Sequence, residues 1–372
     1  MWVRENFSNH RLFFLGFTLW KRSFVKAFFK AKSMHFLNSL RELEKFKLSD
    51  DDVFLIWGKR LEKEDLKTQI AKQNANLKPK ICFVEDGFIR SVSLGSDLTR
   101  PFSLVVDSKG LYIDASTPSD LEELLQNHSF DEGLLKRAKD LIDKLRLYKI
   151  SKYNTLKHEN LHFKAKKGQK IILIPAQVED DASMLLGSGG LDTLQFIQKV
   201  REENPNAHLV FKPHPDVLSG NRKGLKDEKT ILRICDEMLR HSSIHSAIEA
   251  SDEVHTITST AGFDALLRGK KVVVYGTPFY AGWGLSEDKV EIKRRTRKLS
   301  IEELVAGVLI LYPLYLHPKT RNLCEVELSL EIITQMQKAY FSKFYIKWGI
   351  DSRNYALRKL RRTWETMKGF KK

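Results

Sequence analysis

Four short segments gather side chains that can move protons, hold anions or attack carbon. Glu85-Asp86-Gly87 sets two adjacent carboxylates before a glycine, with Arg90 close behind and Arg100 beyond Gly95-Ser96-Asp97. Adjacent carboxylates raise one another's pKa, so the pair can supply a general base, although the same tripeptide is also a common solvated turn. Gln177-Val178-Glu179-Asp180-Asp181-Ala182-Ser183 strings three acids together ahead of Gly187-Ser188-Gly189-Gly190. An aspartate here can act as a nucleophile toward an oxocarbenium-like sugar, share a divalent metal with its neighbours, or simply open a helix.

In Lys212-Pro213-His214-Pro215 the imidazole is held between two prolines, in a stiff turn from which it can donate to a phosphate. The bland alternative is a polar loop histidine. Thr256 to Asp264 clusters hydroxyls where a strand gives way to a helix, so that Ser259 and Thr260 can cap the helix, bind an anion, or do both with the same geometry. A Walker lysine pattern and a Gly-x-Gly-x-x-Gly after a strand are both absent, which removes support from ATPase and dinucleotide-dehydrogenase readings.

Each segment follows an apolar run. Strands are expected at 53–57, 80–84, 170–175, 208–212, 254–258 and 271–275, and helices at 60–74, 118–147, 191–204, 230–241 and 261–269. Ser119 and Glu122 are spaced as a capping box. Strands that are apolar throughout and alternate with helices imply parallel sheets covered on both faces, with chemistry at the strands' carboxyl ends. Two such runs, separated by a lysine-rich stretch at 154–170, predict two Rossmann-type domains at 37–165 and 166–330. A length of 372 residues fits two domains, and 42% hydrophobic with 30% charged residues excludes a disordered or collagenous chain. The three cysteines, Cys82, Cys235 and Cys324, are widely spaced, which argues against a disulfide framework or zinc ribbon and for reduced, intracellular thiols.

The net charge of +16 is concentrated at the ends, with +6 in the first 36 residues and +9 in the last 35. A nearly neutral body is not the footprint of a nucleic-acid-binding protein. Both ends interleave lysine and arginine with Phe, Trp and Tyr, as in Leu12–Lys32 and in Phe341–Trp364. Residues 1–36 and 331–372 are therefore read as basic amphipathic segments suited to an anionic bilayer surface, or alternatively as helices on the protein body with solvated outer faces. The uncharged runs are too short to span a membrane, and the expected location is peripheral, on the cytoplasmic face of the inner membrane.

Phe83 to Ser91, Leu94 to Asp97 and Arg100-Pro101 resemble the amino-terminal signature of the KpsC-type capsule polysaccharide β-Kdo glycosyltransferases. Gln177 to Ser183, Phe211 to Asp216 with Gly220-Asn221-Arg222, Thr258 to Gly269 and Tyr275 to Gly284 are similar to further blocks of that family, in the same order. The resemblance runs from about Trp57 to Pro318.

It implies a GT-B-like pair of Rossmann-type domains that transfers Kdo from CMP-Kdo with retention of the β configuration, in capsule and surface polysaccharide biosynthesis of the Gram-negative envelope. On that likeness Asp181 is the nucleophile, and Glu85 or Asp86 receives the acceptor proton. His214, Ser259 and Thr260 grip the CMP phosphate, Asp264 meets the ribose, and Lys212 and Gln177 are further substrate-binding candidates. Arg90, Arg100 and Arg222 are candidates for the Kdo carboxylate, which a guanidinium matches as a bidentate partner. No metal and no cofactor beyond the donor is expected; the acceptor is a lipid-linked glycan or phospholipid-derived glycolipid, with a capsule assembly or export complex as a further partner. Family members commonly carry two transferase modules, and this chain has room for one. Another CMP-ulosonic acid donor, or a non-catalytic export role, is the alternative.

Overall fold

Two sheets whose central strands are buried face each other across a cleft. The computed structural model describes residues 7–94, 97–152, 154, 156, 158–219 and 228–369, with side chains up to residue 360. The first sheet begins with β1 (Arg11–Leu15), β2 (Ser33–Leu37), β3 (Asp52–Trp57), β4 (Lys80–Asp86) and β5 (Ser103–Asp107). The second contains β6 (Ile171–Pro175), β7 (His208–Lys212), β8 (Glu237–Met238), β9 (Glu253–Thr256), β10 (Lys271–Val274) and β11 (Glu287–Asp288). The chain then returns, and β12 (Leu314–Leu316) and β13 (Leu323–Cys324) complete the first sheet. Strand orders are β13-β12-β5-β4-β3-β1-β2 and β11-β10-β9-β6-β7-β8.

The second sheet is parallel throughout, as the apolar runs predict. The first is mixed, because β5 runs antiparallel to both β4 and β12. Residues 314–324 therefore belong to the first sheet, which corrects the expected second-domain boundary at 330.

The amino-terminal expectation is also corrected. Of the expected segment 1–36, residues 7–36 are not set apart as an amphipathic surface: β1 lies between β2 and β3, in parallel register with both. Period-two alternation sends Leu12 and Phe14 to one face, with Val53, Leu55 and Val84. Phe13 and Leu15 go to the other, with Phe54, Ile56 and Phe83. Phe13 stacks on Phe54 at 5.1 Å between ring centroids and meets the edge of Phe46 at the same separation. Removing a ring so enclosed leaves a cavity, so Phe13→Ala is expected to cost about 3–5 kcal/mol. A urea titration of the full chain measures this. A loss below about 0.5 kcal/mol, typical of a surface position, would contradict the placement.

The expected helix at 118–147 is two, Asp120–Asn127 and Glu132–Tyr148, because Asp131 caps a fresh helix by accepting from the Leu134 N–H. Ser119 caps the first by accepting from the Glu122 N–H at 3.1 Å. The capping box does not close, since the buried Glu122 carboxylate pairs with Arg294 and Arg295 across the domain boundary instead.

At the carboxyl end, the helix Val326–Ser342 buries Val326, Leu330 and Ile333. The helix Phe344–Gly369 is pinned by Arg358, whose Nε and Nη2 both donate to Asp97, and it leaves Phe344, Trp348 and Tyr355 exposed by 81%, 64% and 67%. Arg361, Arg362 and Trp364 have side chains outside those described. Among the described residues no helix is long and apolar enough to cross a membrane.

Candidate active site

In doubly wound sheets the cleft forms where the strand order reverses. The reversals here fall between β1 and β3 and between β6 and β9. The loops leaving these strands, with the end of β4 and the turn after β7, close around a cavity of about 620 Å³, lined by Glu85, Asp86, Asp181, His214, Ser259 and Thr260. All the proposed proton-transfer, nucleophilic and phosphate-gripping groups thus share one space. Phe88 and Phe279, with ring centroids 4.6 Å apart, join the two halves beside it.

Glu85 and Asp86 end β4, and their environments separate them. Burial, then the Asp86 charge, raises the Glu85 carboxyl above its ordinary 4.5. Burial would raise Asp86 as well, but the Arg90 guanidinium, 2.7 Å away, outweighs it and holds Asp86 below its ordinary value. Oδ1 of Asp86 is buried with no hydrogen-bond partner among the described residues. Gly58, at a φ of +54°, keeps room for this pair, since a Cβ there would come within 3.1 Å of Glu85 Oε2.

Arg90 is committed within the protein: besides Asp86 it donates to the Ser91 hydroxyl and the Thr99 carbonyl, both at 3.0 Å. These bonds tie it to Asp86 and to the loop at Thr99, and it also lines the cavity. Arg100 lies outside the cavity lining with its guanidinium 5.9 Å from the Trp20 ring centre, and Trp20 forms part of the wall. Arg222 lies outside the described residues, as do Gly95, Ser96, Gly220 and Asn221.

Across the cleft, Gln177 spans the second reversal, donating from Nε2 to Thr258 Oγ1 at 2.7 Å and accepting the Thr258 N–H at 2.8 Å. This fixes the loop that carries Asp181, which is exposed to the cavity at the start of the helix Ala182–Gly187. Its Oδ2 accepts from the Ser183 hydroxyl at 2.9 Å, and its side chain makes no backbone cap bond. His214 caps the turn Pro215–Leu218: Nδ1 accepts the Asp216 N–H at 3.1 Å, so the proton of the neutral ring sits on Nε2 and makes it a donor.

A smaller pocket of about 110 Å³ adjoins the cavity, sharing His214, Ser259 and Thr260 and adding Lys212 and Asp264. Lys212 is buried, which lowers its ammonium to about 8, and it donates to the Ser242 carbonyl. Burial pushes the Asp264 carboxyl up to about 7 against the pull of Arg268. Among the described residues no group of three His, Cys, Asp or Glu is placed to hold a metal ion.

Sequence reasoning missed the loop after β1 and the helix Leu19–Val25 that follows it. Thr18, Trp20 and Lys21 line the cavity beside Glu85 and Asp86, with Arg60 from the loop after β3. The Lys21 ammonium sits 3.4 Å from the Trp57 ring centre and is lowered to about 8 by burial, against the pull of Glu85 and Asp86. A signal was present in the parallel between Arg11-Leu12-Phe13-Phe14-Leu15-Gly16 and Asp52-Val53-Phe54-Leu55-Ile56-Trp57-Gly58. Both runs are strands that end in a left-handed glycine.

Two facing Rossmann-type halves with a charged cleft at their strand ends define the class of protein. The chain belongs to the family of capsule polysaccharide biosynthesis proteins, whose pattern matches residues 52–315. It is 44% identical over 330 residues to the capsule polysaccharide modification protein LipA of Neisseria meningitidis serogroup A, covering 88% of this chain and 46% of that protein. The lipopolysaccharide-processing protein LpsZ of Rhizobium meliloti is 36% identical, over 83% of this chain and 70% of LpsZ. The chain therefore spans about half the length of LipA. Among solved structures, the β-Kdo 2,7 transferase of Thermosulfurimonas dismutans KpsC superposes with a TM-score of 0.72 at 38% identity, over 88% of this chain and 100% of that one. The β-Kdo 2,4 transferase of the same protein gives 0.74 at 27% identity, over 89% and 99%.

Proposed function

We propose that this chain transfers Kdo from CMP-Kdo to a glycan acceptor in capsule polysaccharide assembly, retaining the β configuration through a covalent Asp181 adduct. The observation that carries the reading is the single cavity joining Asp181 to the carboxylate pair on one wall and to His214, Ser259 and Thr260 on the other. Likeness to the two Kdo transferases of KpsC supports the sugar and the reaction class.

In the first step an Asp181 carboxylate oxygen attacks the anomeric carbon as the bond to the CMP phosphate oxygen breaks. Charge gathering on the departing phosphate is met by the His214 Nε2–H and the hydroxyls of Ser259 and Thr260. In the second step the acceptor hydroxyl gives its proton to Glu85 and attacks the same carbon from the opposite face, releasing Asp181. Two inversions give net retention. Asp86 stays ionised against Arg90 and raises the basicity of Glu85. Incubation with CMP-Kdo, followed by intact-mass spectrometry, is expected to show a gain of one Kdo on the protein and free CMP, whereas CMP-sialic acid gives neither. Hydrolysis without an adduct at Asp181 would sink the double displacement.

The acceptor in this reading is borne on a membrane. Trp348 and Tyr355 stand exposed with Lys343, Lys347 and Lys359 on the helical tail, the pairing that suits an anionic interface. Basic residues near such a surface contribute about 1 kcal/mol each. Full-length protein is expected to co-sediment with phosphatidylglycerol vesicles at low salt, less at high salt, and several-fold less after Trp348→Ser with Tyr355→Ser. Equal sedimentation by the double variant would remove the tail from the lipid contact.

A further inference from the structure

The smaller pocket holds a buried donor that the proposed transfer does not use. His245 lies in the helix Ile244–Glu249, is 4% exposed and lines that pocket together with Asp264. Arg268 Nη2 donates to its Nδ1. An arginine only donates, so Nδ1 offers its lone pair and the ring proton must sit on Nε2. Burial, then the Arg268 charge, keeps the imidazole neutral, well below its ordinary 6.5. Nε2 is buried and has no hydrogen-bond partner among the described residues. A buried N–H with nothing to donate to is costly, and protein interiors seldom keep one unless a ligand or water meets it.

The position of the pocket limits what that ligand can be. It opens from the cavity at His214, Ser259 and Thr260, so a nucleotide whose phosphate lies against those groups carries its nucleoside inward past Thr260 toward Asp264 and His245. Cytosine presents ring N3 and O2 as acceptors. Uracil presents a donor, N3–H, where cytosine has the N3 lone pair.

We propose that His245 determines the nucleobase specificity of the donor site, its Nε2–H donating to ring N3 of cytosine. The inference rests on the CMP-linked donor reading and extends it from the phosphate to the base. A uracil nucleotide would set N3–H against Nε2–H and leave both buried donors unmet.

The test is calorimetric titration of CMP, UMP and 2′-deoxy-CMP into the full chain and into its His245→Phe and His245→Gln forms. The wild-type protein is expected to bind CMP roughly tenfold or more tighter than UMP, as one lost buried hydrogen bond requires. His245→Phe should weaken CMP to the level of UMP and leave UMP unchanged. His245→Gln, which keeps an N–H, should retain part of the preference. Equal weakening of CMP and UMP in His245→Phe would show a structural role only and overturn the inference, as would an unchanged preference. Loss of discrimination against 2′-deoxy-CMP with the base preference intact would assign His245 to the sugar instead. Should His245→Phe not fold, a wild-type protein that binds CMP and UMP alike overturns the inference by itself. A wild-type protein that binds no CMP removes the donor reading, a distinct failure.

Discussion

Asp181→Ala is expected to lower Kdo transfer by roughly a thousandfold or more while leaving CMP binding largely intact, since removing a covalent nucleophile costs most of the chemical step and little of the ground state. The local structure makes the substitution clean. Asp181 occupies the cap position of the helix Ala182–Gly187, but its side chain bonds no backbone N–H there. Among the described residues its side chain is bonded by the half-buried Ser183 hydroxyl, a contact of small energetic weight. The loop is held elsewhere, by the paired Gln177–Thr258 hydrogen bonds and by the Met184 N–H donating to the Asp181 carbonyl, which alanine keeps. A loss of transfer with an unchanged thermal midpoint therefore reports chemistry. Intact-mass spectrometry checks the same point directly: the wild-type protein gains one Kdo from CMP-Kdo and the variant gains none. Near wild-type transfer by Asp181→Ala would take the nucleophile's part away from it.

The second half of the molecule was more legible in the sequence than the first, for a physical reason. In the parallel sheet β6, β7 and β10 are short apolar runs, buried over most of their length and ended by a turn, so 208–212 is a strand over the predicted residues. The rule that chemistry follows the strand then leads directly to Asp181, His214, Ser259 and Thr260. In the first sheet β1 is just as apolar after its first residue, but Arg11 at its start and Lys21-Arg22 after it give the stretch the pattern of an amphipathic surface segment. The Arg11 guanidinium is in fact spent on Asp52, its register partner in β3, at 2.7 Å. Lys21 turns back over Trp57 into the cavity. Such contacts join residues about 40 positions apart, a separation that local pattern does not encode. The same holds for β12, which pairs with β5 from more than 200 residues away. The sequence offers Arg90 as a carboxylate-binding candidate but does not mark it as the partner of Asp86, because a guanidinium four residues on from a carboxylate says nothing of pairing until the loop between them is seen to fold back.

That pairing shapes the second large expected effect. Glu85→Gln is expected to slow transfer by roughly a hundredfold to ten-thousandfold, the range for loss of a positioned general base, and to leave stability nearly unchanged. Asp86→Asn should behave differently. It leaves the buried Arg90 cation without its carboxylate, an arrangement that costs about 3–5 kcal/mol when a buried pair is broken from one side. The pH profiles separate the two roles further. The base must be ionised, and burial together with the Asp86 charge holds the Glu85 carboxyl above its ordinary 4.5. As pH falls, Glu85 therefore takes up its proton, and transfer declines, at a higher pH than an unperturbed glutamate would allow. Removing the Asp86 charge while Arg90 stays positive lowers the Glu85 pKa, so in Asp86→Asn the acid limb should move to lower pH. In Glu85→Gln that limb should vanish from whatever activity remains. Initial rates across the acid range, with the folded fraction followed in parallel, measure both shifts. An acid limb that persists in Glu85→Gln and stays in place in Asp86→Asn would locate the base on another residue of the cleft.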